Sequence, residues 1–296
     1  MLFFHIGIAL IVTVLWGLNF VAIKLALQEM SPFMLGAFRY IVASLPILVG
    51  VVKPSLSWKK IILIGFVGGF IMFAFLFLSI KTGCTAGLAS LLLQSQAFFS
   101  ILFAKWFLKE RILPWQWLSI LLASLGIFYI SKKMNTDTSL LGFICVLIAA
   151  LAWASTNILH KQLKNFQAFE LIVWTSIVPI IPFLLLSIII DGYENIIITI
   201  NNLSYTGICC ILYIGFIATL GCAALWTYLI YLYSPAVVAP YSLLIPLFGI
   251  SFTCIICNEK LSCELIYSCI FIFSGLIINQ LALKGYCKKD QQKGAI

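Results

Sequence analysis

The chain has 296 residues, of which 63% are hydrophobic and only 9% charged, with a formal charge of +9. A soluble domain carries roughly 25% charged residues, so this chain cannot cover its surface toward water, and a water-soluble enzyme or binding module is excluded. Its basic residues are scattered between apolar runs, which argues against a nucleic-acid partner and makes the lipid bilayer the partner of most of the surface.

A helix needs about 20 apolar residues to cross the hydrocarbon core. Ten such runs follow one another, at residues 5–27, 32–52, 60–80, 86–107, 113–131, 140–160, 169–190, 205–231, 236–257 and 264–283. The expected fold class is therefore all-α, a polytopic membrane protein with ten transmembrane helices. The first run has no positive region before it and no small-residue cleavage site after it, so it reads as a retained signal anchor. It also contains WGLNFVAIK, Trp16 to Lys24, which puts an indole, an amide and an ammonium group inside a span. The second run carries Arg39, the fourth carries Ser90, Gln94 and Gln96, and the sixth repeats the first with Trp153, Asn157 and Lys161. Pro32, Pro114 and Pro235 stand at the starts of runs, where a missing N–H costs little. Pro179 and Pro182 in run seven, and Pro240 and Pro246 in run nine, predict kinks. The longest predicted loop is Asp191 to Asn202.

Lys and Arg positions set the orientation. With a cytoplasmic N-terminus, Lys53, Lys59, Lys60, Lys105, Lys109, Arg111, Lys164, Lys284, Lys288, Lys289 and Lys293 lie inside, against Lys81, Lys132, Lys133 and Lys260 outside. This excess predicts both termini in the cytoplasm, with Lys132 and Lys133 the local exception. Trp58, Trp106, Trp115 and Trp117 flank runs as interfacial anchors, whereas Trp16, Trp153, Trp174 and Trp226 fall deeper.

Trp16 and Lys24 align with Trp153 and Lys161 at one offset. Further on, Glu110-Arg111-Ile112 aligns with Glu259-Lys260-Leu261, and Gly126 with Gly275, at a second offset; an insertion near Asp191 to Asn202 accounts for the difference. The halves are 1–135 and 136–285, followed by a basic tail, 286–296. Five spans per half is an odd number, so the second half enters the membrane inverted. That arrangement of two inverted five-helix repeats belongs to secondary transporters, whose substrate sites lie at the repeat interface near the midplane.

WGLNFVAIK, GLASLLLQSQAFFSIL (Gly87 to Leu102), IVWTSIVPIIPF (Ile172 to Phe183), GFIATLGCAALW (Gly215 to Trp226) and VVAPYSLLIPLFGI (Val237 to Ile250) resemble the EamA branch of the drug/metabolite transporter superfamily. Within it, the likeness is nearest to bacterial exporters of O-acetylserine and cysteine. The resemblance runs from Trp16 to the tenth span. It implies ten helices around a central cavity and efflux of a small-molecule metabolite across the bacterial inner membrane. Related branches export aromatic or threonine-like amino acids or take up S-adenosylmethionine on the same fold.

Lys24 and Lys161 stand near opposite mouths, where each either snorkels to the interface or attracts a substrate carboxylate. Asn19 and Asn157 lie nearer mid-span, where an amide must find a partner; they serve either as contacts between helices or as substrate ligands. Trp16 and Trp153 precede them by about one turn and share their helical surface, as substrate contacts or as packing bulk. On span four, Ser90 and Gln94 form a small polar face directed to the cavity or to a close helix contact. Gln96 points about 200° away and is expected against a neighbour. Tyr228 and Tyr241 lie near proline breaks and complete the candidate substrate-binding set. No mid-span acid is present, so facilitated efflux or exchange is expected in place of a carboxylate relay. No catalytic set, cofactor motif or metal site is expected: Cys254 and Cys257 form C-x-x-C in an apolar helix without histidine partners. Oligomeric state is not encoded in these features.

Overall fold

The computed structural model describes residues 3–109, 114–115, 117–118, 121–122, 125, 139–163, 166–232, 241–242, 244–258, 266–267, 270–271, 273–275 and 277–278. Within them all regular structure is helical, and seven helices are long and apolar enough to cross a membrane. They are α1 (Phe3–Glu29), α2 (Pro32–Val49), α3 (Trp58–Lys81), α4 (Ala86–Phe107), α5 (Leu140–Lys161), α6 (Ala168–Asp191) and α8 (Tyr205–Leu229). Between the last two lies α7 (Tyr193–Asn201), and α9 (Leu244–Cys257) is a shorter apolar helix. All of these except α7 correspond to expected runs, one to four and six to nine. Runs five and ten, the start of run nine with Pro235 and Pro240, the Lys132–Lys133 pair and the 286–296 tail lie wholly or largely outside the described residues.

Lipid offers no hydrogen-bond partner, so each backbone N–H and C=O must be met within its own segment, and helix is the result. One side of each helix meets lipid and the other meets the bundle, which is why the runs are apolar all round. Leu48, Val49, Ile181, Ile189 and Ile255 stay exposed toward lipid. Ile23, Leu35, Phe77, Leu91, Val146, Ile214 and Ile250 are buried together in one core that joins α1 to α5, α8 and α9.

Four helices begin at one end of the bundle, each capped by a hydroxyl. Ser31 accepts from the Met34 N–H at 3.1 Å, Thr85 from Leu88 at 3.2 Å, Ser139 from Gly142 at 3.0 Å and Ser204 from Gly207 at 3.1 Å. Such caps satisfy donors that the first helical turn leaves open. The ends of α1, α3 and α6 meet them there. The Glu29 carboxylate accepts from the Ser204 N–H at 3.0 Å and its O–H at 2.6 Å, and Ser31 O–H donates to Asp191. Ser139 donates to the Thr82 carbonyl, and the Lys81 ammonium donates to the Leu27 carbonyl at 2.8 Å. At the opposite end, His5 lies edge-on to Tyr228 at 6.2 Å and Trp58 edge-on to Trp174 at 5.8 Å. The four capped helices α2, α4, α5 and α8 therefore run opposite to α1, α3 and α6, so that α1 and α5 are antiparallel.

Two expectations are corrected here. Trp174 is not deep in its span: its indole N–H donates to the Val51 carbonyl at 3.1 Å, in the segment that follows α2. An indole needs one acceptor, and the irregular chain after Gly50 supplies a free carbonyl. The expected loop Asp191 to Asn202 is instead mostly α7. Gly192, at φ +83°, turns the chain after α6, and the Asn195 amide donates back to the Asp191 carbonyl at 2.7 Å. Its isoleucines are poor helix formers by propensity; packing of Ile196 on the core overrides that preference.

Small residues set the close helix crossings, as is common in membranes. A Cβ at Gly17 of α1 would lie 2.5 Å from Phe248 Cβ of α9, and one at Gly249 would lie 2.8 Å from Ser90 Oγ of α4. Gly68 of α3 abuts Thr156 of α5, and Gly215 of α8 abuts Val42 of α2. Both α3 and α8 widen to π-helical turns, over Gly65–Ile71 and Tyr213–Cys222. The helix α6 breaks at residues 176–179, where Pro179 stands, as its prolines predict.

Candidate functional site

The polar groups of α1 separate into satisfied and unsatisfied ones. Trp16 is half-buried, and its N–H donates to the Ala218 carbonyl in the π-helical turn of α8 at 3.0 Å. Its ring lies 5.4 Å from Trp226, and Tyr213 returns the link by donating to the Leu15 carbonyl at 2.7 Å. A π turn widens the helix and is a frequent feature of functional sites. Three residues on, Asn19 is buried and its Oδ1 has no hydrogen-bond partner.

The helix α4 shows the same division. Ser90 and Gln94 share one buried face, and Ser90 donates to its own helix at the Gly87 carbonyl, 2.6 Å away, while packing against Gly249. Gln94 is buried with neither Nε2 nor Oε1 partnered, and the adjacent Ser95 Oγ is unpartnered too. Gln96 points to a different neighbour, where its Oε1 accepts from Asn157 Nδ2 at 2.7 Å. Asn157 also donates to Ser100 Oγ at 3.3 Å. Asn157 is thus bonded across the α4–α5 contact, apart from Asn19. Trp153 is half-buried against the common core.

Arg39 of α2 is 3% exposed. Its guanidinium carbon lies 3.7 Å from the centroid of Phe73, with the rings of Tyr40 and Phe77 at 5.7 and 6.0 Å. Nε and Nη1 have no hydrogen-bond partner. The group is held in the interior beside aromatic rings. A signal for this existed, because Leu35, Arg39 and Val42 fall on one helical stripe, and both flanking residues belong to the core.

Each buried polar group without a partner costs about 1–3 kcal/mol, so such groups call for an explanation. Among the described residues these atoms belong to Asn19, Arg39, Gln94 and Ser95. With a rise of 1.5 Å per residue, Asn19 lies about 15 Å from the Glu29 end, Arg39 about 10 Å from the Pro32 end and Gln94 about 12 Å from the Ala86 end. All three ends lie on the same side. In a hydrocarbon core of about 30 Å, the unpartnered atoms therefore fall within about one helical turn of each other in depth, from the midplane toward that side.

Above them, a pocket of about 290 Å³ opens between α1, α3 and α4. Lys24, Gln28, Lys81, Cys84, Thr85 and Ala86 are among its lining residues, which include two lysines and no acid. Lys81 was not singled out from the sequence; its place at the end of span three, beside the mouth where Lys24 lies, was the available signal. Lys161 is exposed at the opposite end of the bundle. Tyr228 is 45% exposed beside His5, and Tyr241 packs with Ile8, Ala9, Trp226 and Leu229. Trp16, Asn19, Ser90 and Gln94 therefore lie in the interior, Lys24 lies at a mouth above them, and Asn157, Lys161 and Tyr228 lie toward the other end.

Residues 4–132 and 140–280 each match the EamA-like transporter family. A probable amino-acid metabolite efflux pump of Escherichia coli K12 is 35% identical over 283 residues, covering 94% of this chain and 95% of that protein. A protein of the same description from Salmonella typhimurium LT2 is 35% identical over 278 residues, covering 92% and 93%. A crystal structure with 17% identity superposes with a TM-score of 0.62 over 92% of this chain and 96% of that one, which is a likeness of fold. With both halves matched and such relatives along nearly its full length, this multi-pass membrane protein belongs to the EamA-like transporter family.

Proposed function

We propose that the chain exports small amino-acid metabolites of the cysteine and O-acetylserine kind across the bacterial inner membrane, by alternating access between two inverted five-span repeats. The observation that carries the reading is the set of unpartnered amide atoms of Asn19 and Gln94, buried at mid-membrane depth in a transporter family. A substrate with an ammonium and a carboxylate group supplies what these atoms lack. The names of the two relatives, probable amino-acid metabolite efflux pumps, support the same class.

The separate matches to 4–132 and 140–280 support the two repeats. So does the reciprocal packing of α1 on the π turn of α8, through Trp16 and Ala218, and of α5 on the π turn of α3, through Thr156 and Gly68. In this reading Asn19, Ser90 and Gln94 contact substrate, and Trp16 and Trp153 wall the site. Lys24 and Lys161 draw its carboxylate at the two mouths, while Asn157, Tyr228 and Tyr241 line the path on the other side. Both termini are cytoplasmic, so the pocket at Lys24 faces outward. The described acids Glu29, Glu170, Asp191 and Glu194 stand at helix ends, which favours facilitated efflux or exchange.

Uptake of labelled cysteine, O-acetylserine, threonine and phenylalanine into inside-out vesicles tests this. Cysteine and O-acetylserine should accumulate above vector controls, and Asn19→Leu and Gln94→Leu should abolish the gain. Preference for threonine or phenylalanine would refute the substrate assignment, and uptake of none would refute amino-acid export.

A further inference from the structure

We infer that Arg39 is the carboxylate-binding residue of the transport site, so that the carrier requires a free carboxylate on its substrate. This rests on the proposed export of amino-acid metabolites and adds the group that recognises them.

Among the described residues Arg39 is the only basic side chain that is fully buried. A guanidinium stays charged in a protein, and a charge inside a membrane is retained where it meets a partner or a pathway. No fixed counter-ion offers itself among the acids where α2 begins: Glu29 is bonded to Ser204, and Asp191 to Ser31 and Ser187. The faces of the guanidinium are held by Phe73, Tyr40 and Phe77. Cation–π contact fixes the plane of the group; Tyr40 is also a side-chain hydrogen-bond neighbour of Arg39, while Nε and Nη1 on the N–H edge are unpartnered. A mobile anion is the partner this geometry fits.

In this assignment that anion is one end of a zwitterion. Leu35 and Val42 beside Arg39, Phe20 and Ile23 beside Asn19, and Leu91 to Leu93 beside Gln94 belong to one core. The unpartnered oxygens of Asn19 and Gln94, at nearly the same depth, accept hydrogen bonds from an ammonium group. The carboxylate pairs with Arg39 on α2, and the ammonium group with the amides of α1 and α4. Lys24 and Lys81 at the mouth act on the same carboxylate earlier or later in its path, with no part in the requirement itself.

The test is counterflow of labelled cysteine in proteoliposomes of the full chain, under reducing conditions, with cysteine, cysteine methyl ester and cysteamine as competitors. Truncating one side of a buried, hydrogen-bonded charge pair weakens binding by roughly 30-fold or more. Wild type should therefore be inhibited by cysteine at concentrations about 30-fold below those of the ester or the amine. Arg39→Gln should lose this discrimination through a raised KM for cysteine, while keeping a monodisperse elution profile. Arg39→Lys retains a charge without the planar donor set; it should fold, raise KM and keep part of the discrimination. A purely structural role would lower the amount of folded protein and the maximal rate while leaving competitor ratios unchanged. Equal inhibition of wild type by ester and acid, or full discrimination in Arg39→Gln, overturns the assignment and leaves amino-acid export standing. Transport of cysteamine without cysteine, or of neither, overturns both.

Discussion

The crossing of α1 and α9 at Gly17 offers a quantitative test of the packing that encloses the site. Gly17→Ala adds one methyl carbon, 2.5 Å from Phe248 Cβ and 3.0 Å from both Gly249 N and Phe248 C. Carbon atoms rest at about 3.5–4.0 Å, so the two helices must part by roughly 1–1.5 Å. Two of the three atoms met are backbone and the third is the root of a side chain, so no rotamer change relieves the clash. Overpacking of this kind costs about 1–3 kcal/mol. Alanine also favours a helix over glycine by about 0.5–1 kcal/mol, which offsets part of that cost. Gly7→Ala isolates the offset: it lies on the same helix, with nothing within 4 Å of the added carbon. Unfolding of the purified variants in mixed micelles, titrated with dodecyl sulfate, measures both. Gly17→Ala should be less stable than Gly7→Ala by the clash alone, about 1–3 kcal/mol. Equal stabilities would refute the close crossing of α1 and α9, and with it the placement of Ser90 against Gly249.

The Gln96–Asn157 bond should show as coupling in a double-mutant cycle of Gln96→Leu and Asn157→Leu, about 0.6 kcal/mol and no more than about 1.7 kcal/mol; additive losses would mean the amides do not meet. Glu29→Leu removes the charged acceptor of the Ser204 cap and should destabilise by about 1.5–3 kcal/mol, read as a lowered thermal midpoint in detergent, with an unchanged midpoint as the contrary result. Lys24→Gln should slow cysteine export at low salt more than at high salt, because a charge at the mouth of a pocket open to solvent acts through a screened field. Lys161→Gln should do the same from the other face, and wild-type rates in both variants at normal expression would remove the lysines from the path.

Much of this molecule is written in apolar run length. A bilayer excludes water from backbone groups, so a run of sufficient length has one conformation open to it, and α1 to α6, α8 and α9 follow the sequence closely. The break in α6 was legible for a similar reason: Pro179 removes a donor wherever it is buried. Runs of this kind say nothing about which polar group finds a partner. Gln94 and Gln96 differ by two positions on one helix, and periodicity separates their directions; only the packing of α5 decides that Gln96 meets Asn157 and Gln94 meets no protein group. Trp174 was misplaced in depth because a span boundary does not reveal the carbonyl after Gly50. Residues 191–202 read as a loop because the run is too short to span, and the packing of Ile196 on the core makes most of it helix. Arg39 is the clearest case: its charge and its helical stripe are visible in one dimension. Its aromatic holders on α3 and its unpartnered N–H edge exist only once two helices are laid side by side, because cation–π and hydrogen-bond geometry act over a few ångströms between residues far apart in the chain.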